Sequence, residues 1–282
     1  YKYGDYFYYT RTEKGKQYDI YCRKYLFLYA DEEITLDLNS MAEHHDYLVL
    51  DTYKVSPDHQ LLAFAFDTSG AEFFACRIKD LKTGNILDDC LMNLAGPMEW
   101  ANDNKTLFYL TLNDAQRPFQ LWRHVLGSDQ SEDILIYEES DDQFHMGLTR
   151  SKSDQYLIMD IGSNTTTEVH VLDRDEPHGK FKTLIPREKG VEYYAYLHDN
   201  DYYVLSNKNA PNFKLIRLHL RGSIYTVVVP EREDTMLEDV SIFQNHLALL
   251  ERLNGRLQIR ILQIDNGQWR TIAMNQGLYS LY

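Results

Sequence analysis

Val55-Ser56-Pro57-Asp58-His59-Gln60 runs straight into Leu61-Leu62-Ala63-Phe64-Ala65-Phe66. Ser, Pro and Asp favour tight turns that bond their own backbone. The apolar and aromatic run behind them suits the pleated, half-buried surface of a strand. The same pairing recurs along the chain. Trp100-Ala101-Asn102-Asp103-Asn104-Lys105 leads into Thr106-Leu107-Phe108-Tyr109-Leu110, and Ser153-Asp154-Gln155 leads into Tyr156-Leu157-Ile158-Met159. Asp199-Asn200-Asp201 precedes Tyr202-Tyr203-Val204-Leu205, Gln244-Asn245 precedes His246-Leu247-Ala248-Leu249-Leu250, and Gly4-Asp5 precedes Tyr6-Phe7-Tyr8-Tyr9. Taking Tyr6, Leu61, Leu107, Tyr156, Tyr202 and Leu247 as equivalent, the intervals are 55, 46, 49, 46 and 45 residues.

A second strand follows each anchor, and a shorter later one is clearest at Ile134-Leu135-Ile136-Tyr137, Thr183-Leu184-Ile185 and Thr226-Val227-Val228-Val229. Four short strands per unit at a period of about 40–50 residues is the pattern of β-propeller blades. A β-sandwich lacks that period. The reading is therefore an all-β propeller of four-stranded antiparallel blades, about six of seven present. The blades are expected at 1–40, 53–93, 97–138, 143–186, 191–230 and 237–273, with 277–282 starting a seventh. An insertion around 24–47 absorbs the long first interval, and only 39–44 suggests a helical turn. A ring cut open leaves unpaired edges, so the chain is expected to be a piece of something longer. Leu107, Tyr156, Tyr202 and Leu247 should be buried, and Trp100, Trp122 and Trp269 should pack within blades.

The composition agrees with a globular domain. Of 282 residues, 44% are hydrophobic and 26% charged, and Tyr and Phe number 22 and 12. No stretch approaches the ~18 apolar residues of a membrane helix. Net charge is -14, which disfavours phosphate backbones and favours cationic partners. Cys22, Cys76 and Cys90 are too scattered for a disulfide framework or zinc site. They read as reduced, buried thiols, in keeping with a reducing, cytoplasmic setting.

Covalent chemistry has no foothold here. None of the 14 glycines opens a Gly-x-Ser-x-Gly elbow. Gly15-Lys16 and Gly179-Lys180 continue into Gln17 and Phe181, so neither is a phosphate loop. In His44-His45-Asp46, neighbouring side chains of extended backbone point to opposite faces, so a solvated loop is expected. No cofactor, metal or catalytic residue is expected within the chain.

Several segments between the strands carry a resemblance. Arg117-Pro118-Phe119-Gln120-Leu121-Trp122-Arg123-His124-Val125-Leu126-Gly127 resembles the third blade of the oligopeptidase B group of the prolyl oligopeptidase family. Tyr137-Glu138-Glu139, Ser163-Asn164-Thr165-Thr166-Thr167-Glu168-Val169, Ile185-Pro186-Arg187-Glu188, Asn212-Phe213-Lys214-Leu215 and Pro230-Glu231-Arg232-Glu233 follow in order. The resemblance implies a propeller capping a C-terminal α/β-hydrolase domain of the same parent chain. That domain would carry a Ser-Asp-His triad and cut short basic peptides after Arg or Lys. No triad position falls within this chain. A second class stays open, a non-catalytic propeller acting as an interaction scaffold.

Two further expectations concern charge. By the resemblance, Asp46 matches an acidic position that makes a salt bridge to the catalytic domain. Sorting connectors by face puts Glu43, Asp46, Asp51, Asp88, Asp89, Glu138, Glu139, Asp141, Asp142, Glu188, Glu231, Glu233, Asp234, Glu238 and Asp239 on one side, against few bases. In the family this face is turned towards the catalytic domain. A one-signed rim there would raise the local concentration of basic peptides. The stretch Glu138-Glu139-Ser140-Asp141-Asp142 is expected as a solvated loop that could serve as that rim.

Overall fold

The computed structural model describes residues 1–198, 201–219 and 225–272, and the segment 277–282 lies outside them. The regular secondary structure among the described residues is nearly all strand, and every pairing is between antiparallel neighbours in sequence. The chain divides into two compact units, 1–142 and 143–282.

The first unit opens with a sheet of β1 (Lys2–Tyr3), β2 (Tyr6–Arg11), β3 (Ile20–Tyr25) and β4 (Glu33–Asp37). A short helix, α1 (Leu38–Ala42), follows, with the Asp37 carboxylate accepting from the Asn39 N–H at its start. Then come β5 (Val49–Val55), β6 (Leu61–Asp67), β7 (Phe74–Asp80), β8 (Ile86–Trp100), β9 (Thr106–Leu112), β10 (Pro118–Val125) and β11 (Ile134–Glu138). These seven form one continuous sheet, because β8 serves twice. Its first part pairs with β7 and its second with β9, and Leu94 faces both Phe74 and Thr111. The sequence there, Leu91-Met92-Asn93-Leu94-Ala95-Gly96-Pro97-Met98, falls at the boundary expected between two blades, yet the strand runs through it. Positive φ at Asn93 and Gly96 accompanies the register shift between Leu94 and Met98.

The second unit has three sheets of four. They are β12 (His145–Arg150), β13 (Tyr156–Gly162), β14 (Thr167–Asp173) and β15 (Lys182–Ile185); β16 (Tyr193–His198), β17 (Asp201–Ser206), β18 (Lys214–His219) and β19 (Tyr225–Val229); and β20 (Thr235–Ile242), β21 (His246–Leu253), β22 (Arg256–Gln263) and β23 (Trp269–Thr271).

Three of the six turns found in the sequence share one structure. The N–H groups of Ser56, Ala101 and Ser151 donate to the carbonyls of Leu61, Thr106 and Tyr156, each at 2.9 Å. The residue three positions into each turn, His59, Asn104 or Asp154, has φ of 62°, 58° and 58°. Asn and Asp tolerate that left-handed conformation, and His does so less often. The apolar run after the turn is buried on both sides. Leu62 and Phe64 pack with Tyr8 and Leu36, while Ala63 and Ala65 pack with Cys76 and Trp100. In the second unit Tyr202 and Val204 face Tyr193 and Leu197, while Tyr203 and Leu205 face Leu247 and Leu249. Two-sided burial explains why these strands read as continuous apolar runs rather than alternation.

Leu107, Tyr202 and Leu247 are buried as expected, but Tyr156 is only half-buried because it is the first residue of its strand. Trp100 is buried, with its indole N–H donating to the Lys54 carbonyl at 2.9 Å. Trp269 lies exposed on the edge strand β23 beneath the Arg260 guanidinium rather than inside a sheet. Cys22 and Cys76 are buried free thiols, whereas Cys90 is half-exposed. Asp88 and Asp89 lie within β8, not in a connector.

Candidate functional site

The acidic stretch after β11 is more ordered than its composition suggests. Arg117, buried at the entrance to β10, donates from its two terminal nitrogens to the carbonyls of Asp141 and Glu139, each at 3.2 Å. The Glu139 side chain folds inward, 4% exposed, and accepts from the Asp141 N–H at 2.8 Å. Glu139 therefore shapes the loop and is not a solvated charge, a correction to the sequence expectation. What faces solvent is Glu138, Asp141 and Asp142. Glu138 accepts from the Gln120 amide at 2.6 Å. Asp46 sits on a different connector, just after α1, where it is exposed and makes no ion pair among the described residues. The structure thus groups Glu138, Asp141 and Asp142 and gives them no contact with Asp46 among the described residues.

A second constellation was missed in the sequence. His124, fully buried on β10, holds Asp133 at 2.7 Å through Nδ1 and Asp89 at 3.1 Å through Nε2. Asp89 also accepts from the Gly127 N–H at 2.6 Å, and Asp133 accepts from the Tyr109 hydroxyl at 2.7 Å. Burial alone would push the imidazole pKa down. The hydrogen bond and charge of Asp133, then of Asp89, outweigh it and hold His124 above its ordinary value. Asp89 thereby lies beside the β10–β11 link, the opposite end of the sheet from the Glu139 loop. The only sequence signal was a polar residue at an inward position of an apolar strand.

This His is not a catalytic base. A Ser-His-Asp arrangement needs one ring nitrogen turned to a nucleophile, and here carboxylates hold both. A cleft of about 580 Å³ beside it is lined by Asp88, Cys90, Gly127, Asp129 and Gln130. The Cys90 thiol lies 3.7 Å from the Met92 sulfur. His170 is likewise held at both nitrogens, by Glu168 and Thr183. Among the described residues, no group of three His, Cys, Asp or Glu side chains is placed to hold a metal ion. No helix among them is long and apolar enough to cross a membrane. The arrangement can present charge and surface.

Comparison with known proteins agrees with the architecture. The family profile of the prolyl oligopeptidase N-terminal beta-propeller domain matches residues 1–282. Protease 2 of Moraxella lacunata is 36% identical over 288 residues, which cover 99% of this chain and 41% of that protein. Dipeptidyl aminopeptidase BI of Pseudoxanthomonas mexicana is 30% identical, covering 100% of this chain and 41% of its own length. Among solved structures, oligopeptidase B from Leishmania major superposes with a TM-score of 0.91 at 31% identity, covering 98% of this chain and 41% of that one. The chain thus spans about two fifths of the length of these relatives. With strands, turns and whole-length similarity in agreement, this chain belongs to the N-terminal β-propeller domain family of the prolyl oligopeptidases.

Proposed function

We propose that this chain is the propeller of a serine peptidase of oligopeptidase B type, which hydrolyses short peptides after Arg or Lys. In this reading the propeller filters and attracts substrate, while a C-terminal α/β-hydrolase domain of the same polypeptide supplies the nucleophile, base and oxyanion site. The observation that carries the reading is likeness along the whole chain to Protease 2 and oligopeptidase B, proteins more than twice as long. The composition of the chain is consistent with it, since no nucleophile elbow occurs in these residues.

The same reading gives roles to the acidic side chains. Glu138, Asp141 and Asp142 form a negatively charged rim that raises the local concentration of basic peptides, an effect that fades with salt. Glu139 supports that rim by holding its loop. Asp46 pairs with a base on the hydrolase domain and favours the closed arrangement. The rim is tested by changing Glu138, Asp141 and Asp142 to Lys in the polypeptide that carries the hydrolase domain. At low salt, kcat/KM for an Arg-containing peptide should fall on the order of tenfold. At ~1 M salt, where the screening length is only ~3 Å, the difference should shrink. A loss of the same size at both salt concentrations, or no loss at either, would remove the steering role.

A further inference from the structure

A carboxylate in the second unit has no hydrogen-bond or ion-pair partner in another described residue and lines a cleft. The sheet β12–β15 turns one side towards β16, the first strand of the next sheet. On that side the register sets Gly147 opposite Asp160, Thr149 opposite Ile158, and Gly162 opposite Thr167. Gly162 and Ala195 bring little side-chain bulk, and between the sheets lies a cleft of about 260 Å³ walled by Ile158, Val169 and Tyr193. Asp160 lies over Gly147, where an added Cβ would fall 2.6 and 2.7 Å from the two carboxylate oxygens. Only a residue without a side chain leaves the carboxylate that position.

Asp160 is exposed to solvent where it lines the cleft. Desolvation holds its pKa above the ordinary carboxylate range, and only its own backbone amide favours the ionised form. Among the described residues it enters no ion pair. Water solvates the exposed carboxylate, and a cationic group entering the cleft would replace that water with a charge-assisted hydrogen bond.

The cleft is smaller than the ~300–1,000 Å³ of a drug-sized ligand site, so it fits one side chain rather than a whole ligand. A bare divalent ion would find a single carboxylate, where such ions gather several oxygens. A long basic side chain matches better, because its methylenes can lie on apolar walls while its head keeps polar contact.

We propose that this cleft binds the side chain of an Arg or Lys of a peptide, with the methylenes against Ile158, Val169 and Ala195 and the cationic head on Asp160. It rests on the peptidase reading only for the ligand being a peptide. The test is calorimetric titration of this chain with Nα-acetyl-arginine amide and its neutral isostere Nα-acetyl-citrulline amide. Saturable binding is expected for the first, at least tenfold weaker for the second and for Asp160→Asn. Gly147→Ala, which displaces the carboxylate, should also weaken it. Asp265→Asn removes the same charge from the exposed β22–β23 link and should bind as the parent chain does. No saturable binding, undiminished binding by Asp160→Asn, or an equal loss in Asp265→Asn would overturn the proposal. Because no hydrolysis is measured, that failure leaves the peptidase reading intact. A chain that binds the arginine compound but belongs to an inactive polypeptide would refute only the latter.

Discussion

His124 and Asp160 each sit inside a β-sheet, on β10 and β13, and the chain surrounds them differently. His124 is closed off from solvent, and two carboxylates, themselves held by Tyr109 and Gly127, occupy both its nitrogens. Asp160 opens onto a cleft and receives no donor from another described residue. A fully satisfied buried charge fixes local structure and leaves nothing to offer a ligand. An exposed carboxylate without a protein partner is free to meet a charge from outside the fold. The two groups also shift in ways that carry opposite consequences for stability.

Breaking the His124 network should have the largest effect. Asp133→Ala leaves His124 with one carboxylate and the Tyr109 hydroxyl without its acceptor. Removing one partner of a buried pair costs about 3–5 kcal/mol, to be read from urea unfolding. A loss below about 1 kcal/mol would mean that the three side chains are not a unit. The pH dependence sharpens the point. The folded-state pKa of His124 is raised, so its stabilisation is full below the ordinary imidazole value of ~6.5 and disappears as pH rises through the folded value. The His124→Gln variant should show a flatter stability profile over that range. An unchanged slope would place the titration elsewhere.

Asp160 should behave in the opposite sense. Its raised pKa means that ionisation costs the folded state stability above the ordinary Asp value of ~3.9. Asp160→Asn should therefore raise the melting temperature modestly at pH 7, with the gain shrinking as pH falls towards that value. A fall in melting temperature at pH 7 would show that Asp160 is already satisfied. The smallest effect is expected at Asp46, which is exposed and unpaired among the described residues. Asp46→Ala should leave the stability of this chain unchanged. In the polypeptide with its hydrolase domain it should cost no more than the ~0–1 kcal/mol of an exposed ion pair. Small-angle scattering should then show a shift towards open forms, and an unchanged distribution would exclude the salt bridge.

The repeat was legible because each turn and each two-sided strand obeys local rules. His59, Asn104 and Asp154 occupy one backbone position, and the runs after them are apolar throughout. The continuity of β8 was not legible. Asn93, Gly96 and Pro97 looked like a boundary, and only the pairing of Leu94 on both sides shows that the strand passes through. The acidic stretch was found by composition, but composition does not tell which carboxylate turns inward to cap its own loop. The His124 and Asp160 environments escaped because strand register, which decides which side chains meet, is not written in either residue's own neighbourhood. Asp89 lies 35 residues from His124, and the sequence alone gives no such distance.

The central claim is that a propeller of this family presents charge and surface while the bond-breaking chemistry lies outside these residues. It is tested most directly by assaying two purified proteins side by side on an Arg-containing fluorogenic peptide and on the same peptide with a neutral residue in place of Arg. One is this chain, and the other is the polypeptide that carries it together with its hydrolase domain. The account predicts hydrolysis of the Arg peptide by the longer protein, little of the neutral one, and none of either by this chain. Hydrolysis by this chain that persists through further purification, or a longer protein indifferent to the Arg, would contradict it.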